Sequence, residues 1–574
     1  MRKFAPNIAY FSMEIGLEWD MPTYSGGLGI LAGDTLKSCA DLKLPVVGIT
    51  LIYDRGFFRQ EIDAQGRQVE HPETWDPSQK LKRLPQKILL REIEGRNILV
   101  QGWLYYYKGK GGNEIPVIFL DTNLKENAEP DRRLTSMLYS GDEEHRLKQE
   151  IILGIGGVRY LRAVGLHNLH TFHMNEGHSS LLTLELLREN QRTIFETWDE
   201  DAIWDLEKVK SLCVFTTHTP VASGHDTFPY DLVERVLRSG IPIKLLKKIS
   251  GEERLNMTTL GLNLSRFANG VAKAHGDVSK NMFPRHNIDF ITNGIHVSTW
   301  VHKPFKDLFD KHIKLWGYDT KYLRQAEMIP REEIWQAHNQ CKAELIREVK
   351  RRTLVELNPD LLTIGFARRS AAYKRSTLLF YDLDRLIQIA EGSPGLQLVF
   401  SGKAHPHDFA GKENIRKIHE LKTEIESRTR KLKLVYLPNY DMRLGFILTG
   451  GVDLWLNTPL RPLEASGTSG MKAALNGVLN LSILDGWWVE GCIEGVTGWA
   501  IGDMDSRLEL DEEQACRVDT ENLYHKLENL ILPKFYECRE EWTTMQRHAI
   551  AINAPFFNCH RQMEQYVTKA YFIR

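Results

Sequence analysis

The chain has 574 residues, 74 Lys plus Arg against 75 Asp plus Glu, and a formal net charge of −1. That balance gives no electrostatic footprint for nucleic acid or an anionic membrane, and the length calls for at least two domains with large cores. No run approaches the length of a transmembrane helix, and residues 1–6 lack the apolar stretch of a signal peptide. Seven single cysteines, Cys39, Cys213, Cys341, Cys492, Cys516, Cys538 and Cys559, form no Cys-x-x-Cys pair and read as the reduced thiols of a cytoplasmic protein.

Residues 8–13 read as a first strand, followed by Tyr24-Ser25-Gly26-Gly27-Leu28-Gly29, a helix to about residue 42 and an apolar strand over 45–53. Strand, glycine loop, helix and strand form a βαβ unit whose loop brings backbone amides close to an anion. Over 88–121 the pattern changes to alternation with turns at Glu94-Gly95 and Gly109-Lys110-Gly111-Gly112, which predicts an antiparallel insertion in the first domain. Residues 140–165 predict a long helix of structural use. Residues 169–178 read as strand, turn and helix start, carrying His173, Glu176 and His178. Their spacing is not the i, i+4 pair of a zinc helix, so no metal is expected. Glu176 and His178 are candidates for sugar hydroxyls instead, because ligands gather at the carboxyl ends of strands in open α/β sheets. A further strand ends near His218, which by itself reads as a structural histidine.

Residues 331–352 predict a long charged helix bridging two halves. Strands are then predicted near 362–367, 396–401, 432–437, 452–456 and 478–484 with helical runs between them, the pattern of a doubly wound parallel sheet. The closing run, 521–574, is mostly helical.

Two stretches carry chemistry. The strand at 362–367 delivers Arg368-Arg369-Ser370-Ala371-Ala372-Tyr373-Lys374-Arg375, four cations within eight residues at a strand's carboxyl end. Arginine suits bidentate phosphate binding and lysine adds a compact charge. The strand at 452–456 leads into Pro462-Leu463-Glu464-Ala465-Ser466-Gly467-Thr468-Ser469-Gly470-Met471-Lys472-Ala473-Ala474-Leu475-Asn476-Gly477. This small-residue loop opens a helix, so its amides, the dipole and the Thr468 and Ser469 hydroxyls suit a phosphate. Lys472 is then either a counter-charge or the anchor of an aldehyde cofactor that carries its own phosphate, such as pyridoxal phosphate.

Glu-Ala-Ser-Gly-Thr-x-x-Met-Lys followed by Leu-Asn-Gly resembles the cofactor segment of the α-glucan (glycogen or maltodextrin) phosphorylases. The resemblance implies a GT-B architecture, two doubly wound Rossmann-like domains facing a central cleft. It divides the chain into a glucan-binding domain over 1–295 and a cofactor-binding domain over 296–574, with the last helix crossing back. It implies pyridoxal phosphate as a Schiff base on Lys472, the cofactor phosphate met by Arg368 with Thr468, Ser469 and Gly470, and Tyr440 packed on the ring. Substrate phosphate would be held by Arg369 and Lys374. Glucose and phosphate would be met by the loop Gly26, Gly27 and Leu28, by Glu176, His178, His218 and Asn293 (of Ile291-Thr292-Asn293-Gly294-Ile295), and by Glu464, Ala465, Ser466 and Gly467. The implied reaction is retaining phosphorolysis of α-1,4-glucan to α-glucose 1-phosphate by a homodimer, with the cofactor phosphate as the proton relay to substrate phosphate.

The chain departs from the family where Arg368 replaces a lysine, Ala371-Ala372 replace His-Glu, and Gly16 stands where animal enzymes have a cofactor-facing tyrosine. With the first strand starting near Asn7, no phosphorylation control ahead of it is expected. The competing reading is a nucleotide-sugar glucosyltransferase of glycogen-synthase type. Those enzymes carry Glu-x₇-Glu where this chain has Glu464 and Lys472, and they carry a lysine beside the glycine loop where this chain has Tyr24-Ser25.

Overall fold

A computed structural model describes residues 6–193, 200–502 and 511–572. The chain divides into two compact α/β units, one of Met1–Phe58, Pro72–Thr292 and Gln562–Arg574, the other of Arg59–His71 and Asn293–Arg561. Each carries a sheet that is parallel in whole or in most of its strands, the composition of the GT-B class.

The first unit is built on a nine-stranded sheet in the order Ile288–Phe290, Phe267–Gly270, Cys213–Thr216, Thr171–Asn175, Ile8–Phe11, Val46–Leu51, Glu114–Asp121, Ile98–Lys108, Lys82–Leu90. The central strands are short runs buried on both faces, as covered parallel strands require. Residues predicted as an antiparallel insertion over 88–121 are the margin of this same sheet. Glu114–Asp121 pairs parallel with Val46–Leu51, and the two strands beyond it pair antiparallel. The predicted helix over 140–165 is Glu143–Ile151 and Gly157–Ala163 joined by a π-helical stretch. The sheet order reverses between Ile8–Phe11 and Thr171–Asn175, so residues following those strands stand at a topological switch point.

The second unit holds a six-stranded, fully parallel sheet in the order Leu432–Leu437, Leu396–Ser401, Leu362–Ala367, Leu454–Asn457, Leu479–Ile483, Gly498–Ile501. Counted along the chain this is 3-2-1-4-5-6, the order of dinucleotide-binding sheets, with its switch point between Leu362–Ala367 and Leu454–Asn457. The sequence patterning missed the sixth strand because Gly-Trp-Ala-Ile is too short to show a period.

The long helix Arg331–Thr353 has Glu332 and Glu333 in its first turn and Lys350, Arg351 and Arg352 in its last, the arrangement that complements the helix dipole. It lies wholly within the second unit. Its buried face carries His338 and Lys342 to Asp453, at 2.8 and 2.6 Å, and the Thr363 N–H donates to the same carboxylate at 2.7 Å. This set pins the helix beneath the two strands that flank the switch point. The hairpin Arg59–Ile62 with Gln68–His71 also belongs to this unit. Gln68 accepts from the Ala404 N–H and donates to the Ala404 carbonyl, both at 2.9 Å, and Gln60 exchanges two bonds with Asn439. Each glutamine amide thereby acts as a backbone surrogate.

Candidate functional site

In the second unit the strand Leu362–Ala367 ends where the cation run begins, and Leu454–Asn457 ends seven residues before Glu464. The Glu464 carboxylate accepts from Arg368 Nη2 at 2.5 Å and from Lys374 Nζ at 2.8 Å. Arg368 also donates to the Asn457 side chain. The Lys374 ammonium lies 4.4 Å from the centre of the Tyr373 ring. Arg369 is exposed beside this cluster. Burial alone would raise the Glu464 pKa, but the charges of Arg368 and Lys374 and their hydrogen bonds outweigh it and hold the carboxyl at about 2. Burial would likewise raise the Tyr373 phenol, yet Lys374, Arg369 and Arg368 bring it below its ordinary value. One donor of this cluster is unmet: Arg368 Nε is buried and has no hydrogen-bond partner among the described residues. A buried guanidinium N–H without an acceptor costs free energy that an anion would recover.

The Glu464 linkage has a defined sign. Its folded pKa lies below the ordinary 4.5, so its stabilisation is complete above that value and is lost as pH falls toward about 2. In urea titrations between pH 5 and pH 2.5, the wild type is expected to lose stability more steeply than Glu464→Gln. Parallel slopes would show that the carboxylate does not pair with these cations in solution.

The loop after Glu464 runs into the helix Ser469–Leu475, with Lys472 Nζ 3.6 Å from the centre of the Trp300 ring. Both side chains are buried. Asn476 fastens the end of this helix by donating to the carbonyls of Trp300 and Lys472, both at 2.9 Å, which accounts for the Asn of Leu-Asn-Gly. Gly477 follows at φ +69°, the left-handed cap position. A Cβ on Gly470 would stand 2.5 Å from Asn480 Oδ1, so only glycine fits there. The helix has seven residues, so its dipole is weaker than the sequence suggested. What remains is the loop itself. The first intrahelical donor is the Lys472 N–H, to the Thr468 carbonyl at 3.2 Å, which leaves the amides of Ser469, Gly470 and Met471 ahead of the ladder. Ser469 Oγ accepts from Trp455 Nε1 at 3.1 Å and keeps its own proton to donate. The Ser466 hydroxyl donates to the Gly467 carbonyl, so its bond is local. Tyr440 does not begin a helix. It follows Asn439, which is left-handed at φ 58°, and precedes the Asp441 cap of Met442–Gly451. Burial pushes its phenol up to about 12. Asn293 is buried, with its carbonyl accepting from Arg561 at 3.0 Å.

In the first unit, Glu14 Oε2 accepts from the N–H groups of Ser25 at 2.6 Å and Gly26 at 3.2 Å, while Tyr139 donates to its Oε1 at 2.9 Å. The Gly26 amide is thus engaged by Glu14. Gly27, Leu28 and Gly29 open the helix Gly27–Asp41, whose first intrahelical bond runs from Ile30 N to Gly26 O. A Cβ on Gly26 or Gly27 would meet nothing within 4 Å, so another group has room to approach there. Gly16 and Gly33 are in close contact: a Cβ on Gly33 would lie 1.8 Å from the Gly16 carbonyl. The space a Gly16 side chain would take is bounded by Ile30 at 3.1 Å and Tyr24 at 3.3 Å, so a larger residue there requires those side chains to shift.

Glu176 is strained at φ 94° and accepts from the His218 N–H at 2.6 Å, from Thr219 Oγ1 at 3.0 Å and from the Gly177 N–H at 3.0 Å. It shapes its own turn. His178 Nε2 accepts from the Met13 N–H at 2.8 Å, and burial foremost, with the Arg146 charge, lowers its pKa to about 3. That neutral, buried ring ties the two strands of the switch point together. His173 is buried too, between Tyr571 and Thr216. His218 Nε2 lies 2.7 Å from Asn175 Oδ1, and burial lowers its pKa to about 3, so it is a neutral hydrogen-bonding group.

Sequence reading passed over Asn457, Trp300 and Asp485. Asn457 and Asp485 had a signal, because each stands at the carboxyl end of a parallel strand, where ligands collect.

A parallel sheet in 3-2-1-4-5-6 order, with clustered cations and a buried lysine on the loops at its switch point, defines an α/β enzyme that handles an anionic ligand. The chain matches the carbohydrate phosphorylase family over residues 12–94 and 242–494, which include the glycine loop, the cation run and the Lys472 loop. It is 39% identical to the maltodextrin phosphorylase of Thermococcus litoralis, over 99% of this chain and 71% of that protein. It is 37% identical to the glycogen phosphorylase of Mycobacterium tuberculosis, over 98% and 70%, and 35% identical to that of Aquifex aeolicus, over 98% and 86%. The chain belongs to the carbohydrate phosphorylase family.

Proposed function

We propose that this chain is an α-1,4-glucan phosphorylase. Inorganic phosphate cleaves the terminal α-1,4-linked glucose of maltodextrin or glycogen and gives α-glucose 1-phosphate with retention. The observation that carries this reading is the Glu464 carboxylate bridging Arg368 and Lys374, beside a buried Arg368 Nε that lacks an acceptor among the described residues. Lys472 stands where the nucleotide-sugar enzymes of this architecture carry a second glutamate, which favours phosphate over a nucleotide sugar.

The residues present fit pyridoxal phosphate. Lys472 would hold it through Nζ, its phosphate would meet Arg368 Nε with Thr468, Ser469 and Gly470, and Tyr440 would flank its ring. When bound, the cofactor supplies a phosphate able to share a proton with substrate phosphate. The chain's own residues do the rest. Arg369 and Lys374 neutralise substrate phosphate, which protonates the leaving glycosidic oxygen and bonds to the glucose C1. A pair of unit charges about 4 Å apart at an effective dielectric near 20 is worth about 4 kcal/mol, so crowded phosphates require these cations. Gly27 and Leu28 offer amides, and Glu464, His218 and Asn293 offer polar groups for glucose hydroxyls. His218 does so without charge. No helix among the described residues is long and apolar enough to cross a membrane. The scattered thiols support a cytoplasmic location, and resemblance to the family supports a homodimer.

The test is borohydride reduction of the protein loaded with pyridoxal phosphate, followed by peptide mass mapping. A pyridoxyl group on Lys472, together with release of glucose 1-phosphate from maltodextrin and phosphate, is expected. A saturated protein with no adduct at Lys472 would overturn the reading and turn attention to nucleotide-sugar transfer.

A further inference from the structure

We propose that Asp485 is a positioning residue for the oxyanion site. Its carboxylate fixes the backbone of Glu464, and so the Glu464 carboxylate where it orders Arg368 and Lys374. The link to phosphorolysis rests on the function proposed above; the link to oxyanion binding rests on geometry alone.

Asp485 follows the strand Leu479–Ile483 at its carboxyl end and is buried. Its Oδ2 accepts from the Glu464 N–H at 2.8 Å and its Oδ1 from the Gly486 N–H at 2.8 Å. The next contact runs the other way, with the Trp487 N–H donating to the Ser466 carbonyl at 2.9 Å. Residues 485–487 thus grip residues 464–466 at two points. The grip requires glycine between them: Gly486 has φ +55°, and a Cβ there would stand 2.4 Å from the Ser466 carbonyl. Nothing in phosphoryl chemistry explains a buried carboxylate so placed, since it adds negative charge behind an anion site. As an anchor it makes sense, because an ionised carboxylate is acceptor-only and presents one oxygen to each of the two amides.

The charged groups that act on Asp485 are Glu464, which opposes its ionisation, and Arg461, which favours it. Burial is the largest influence, and the carboxyl is raised to about 7. Protonation puts a hydroxyl on one oxygen, which then faces an N–H as a donor, and one anchor bond is lost. Simple electrostatics predicts that neutralising a carboxylate behind three cations strengthens anion binding. The anchor predicts the opposite, so the two are separable.

Sulfate is the probe, because it keeps its charge across neutral pH. Calorimetric titration of sulfate into the full-length chain loaded with pyridoxal phosphate is run from pH 5.5 to 8.5 on wild type, Asp485→Asn and Lys374→Ala. The relevant isotherm is the one absent in Lys374→Ala. Wild-type affinity is expected to rise about tenfold as pH increases through neutrality, the change that follows the loss of one anchoring hydrogen bond at about 1.4 kcal/mol per decade. Asp485→Asn is expected to bind at the weak, low-pH level at every pH, with an unchanged circular dichroism spectrum. A wild-type affinity that is flat or falls with pH overturns the proposal, as does Asp485→Asn with the wild-type profile, or a wild type without a Lys374-dependent isotherm. If Asp485→Asn does not fold, the wild-type profile alone decides. Sulfate binding that depends on Asp485 in a protein that releases no glucose 1-phosphate would sink the phosphorylase reading and leave this one standing.

Discussion

Lys472→Ala is expected to reduce release of glucose 1-phosphate from maltodextrin to the level of a control without enzyme. The amine is the one group of the Lys472 loop that can anchor an aldehyde cofactor covalently. It is also buried against Trp300, so truncation opens a gap and removes a cation–π contact. Loss of activity in the alanine variant therefore has two explanations, and Lys472→Arg separates them. Arginine keeps the positive charge and the stacking on Trp300 but is not a nucleophile at neutral pH. It is expected to keep a wild-type unfolding transition and still to be inactive, without the visible absorption of the bound cofactor. An active Lys472→Arg enzyme would show that the lysine serves as a counter-charge, the alternative open when this loop is read by its residues alone.

Lys374→Ala is expected to lower kcat/KM by about 10³-fold, with the loss appearing in the phosphate dependence and little change in the KM for glucan. The magnitude follows from one unit charge about 4 Å from substrate phosphate, worth about 4 kcal/mol, at about 1.36 kcal/mol per tenfold. Lys374 is buried, so solvent screens it less than a surface lysine. Its removal leaves Glu464 paired with Arg368 alone, which keeps one charge-assisted bond and limits the structural damage. A loss spread equally over the glucan and phosphate dependences would instead place Lys374 in general loop architecture. Arg368→Ala provides the contrast. It removes the guanidinium and is expected to weaken retention of the cofactor, measured as faster loss of absorbance on dialysis.

The second sheet was legible from local pattern. Its first five strands are apolar runs bounded by turn residues, and predicted and observed limits differ by two residues at most. The loops that carry the cations and Lys472 were legible for the same reason, because each starts where such a run stops. The sixth strand and the antiparallel margin of the first sheet were harder. Four residues show no period, and alternation reveals strand type but not which sheet a strand joins.

Other features lie outside any local signal. Glu464 reaches Arg368 and Lys374 across 96 and 90 residues of sequence. Asp485 reaches Glu464 across 21. His178 accepts from the Met13 N–H, 165 residues earlier. The hairpin at 59–71 lies within the first half of the sequence but folds into the second unit through two glutamine amides.

By itself the sequence determined the parallel strands of the two α/β sheets, the loops at their carboxyl ends, and the residue types that give those loops their chemistry, because burial of apolar runs and turn chemistry act over a few residues. Only the tertiary structure decided which charges pair, which histidines are neutral and which carboxylate accepts from the Glu464 backbone. Those outcomes depend on the hydrogen-bond partners and the dielectric that distant segments bring to one place.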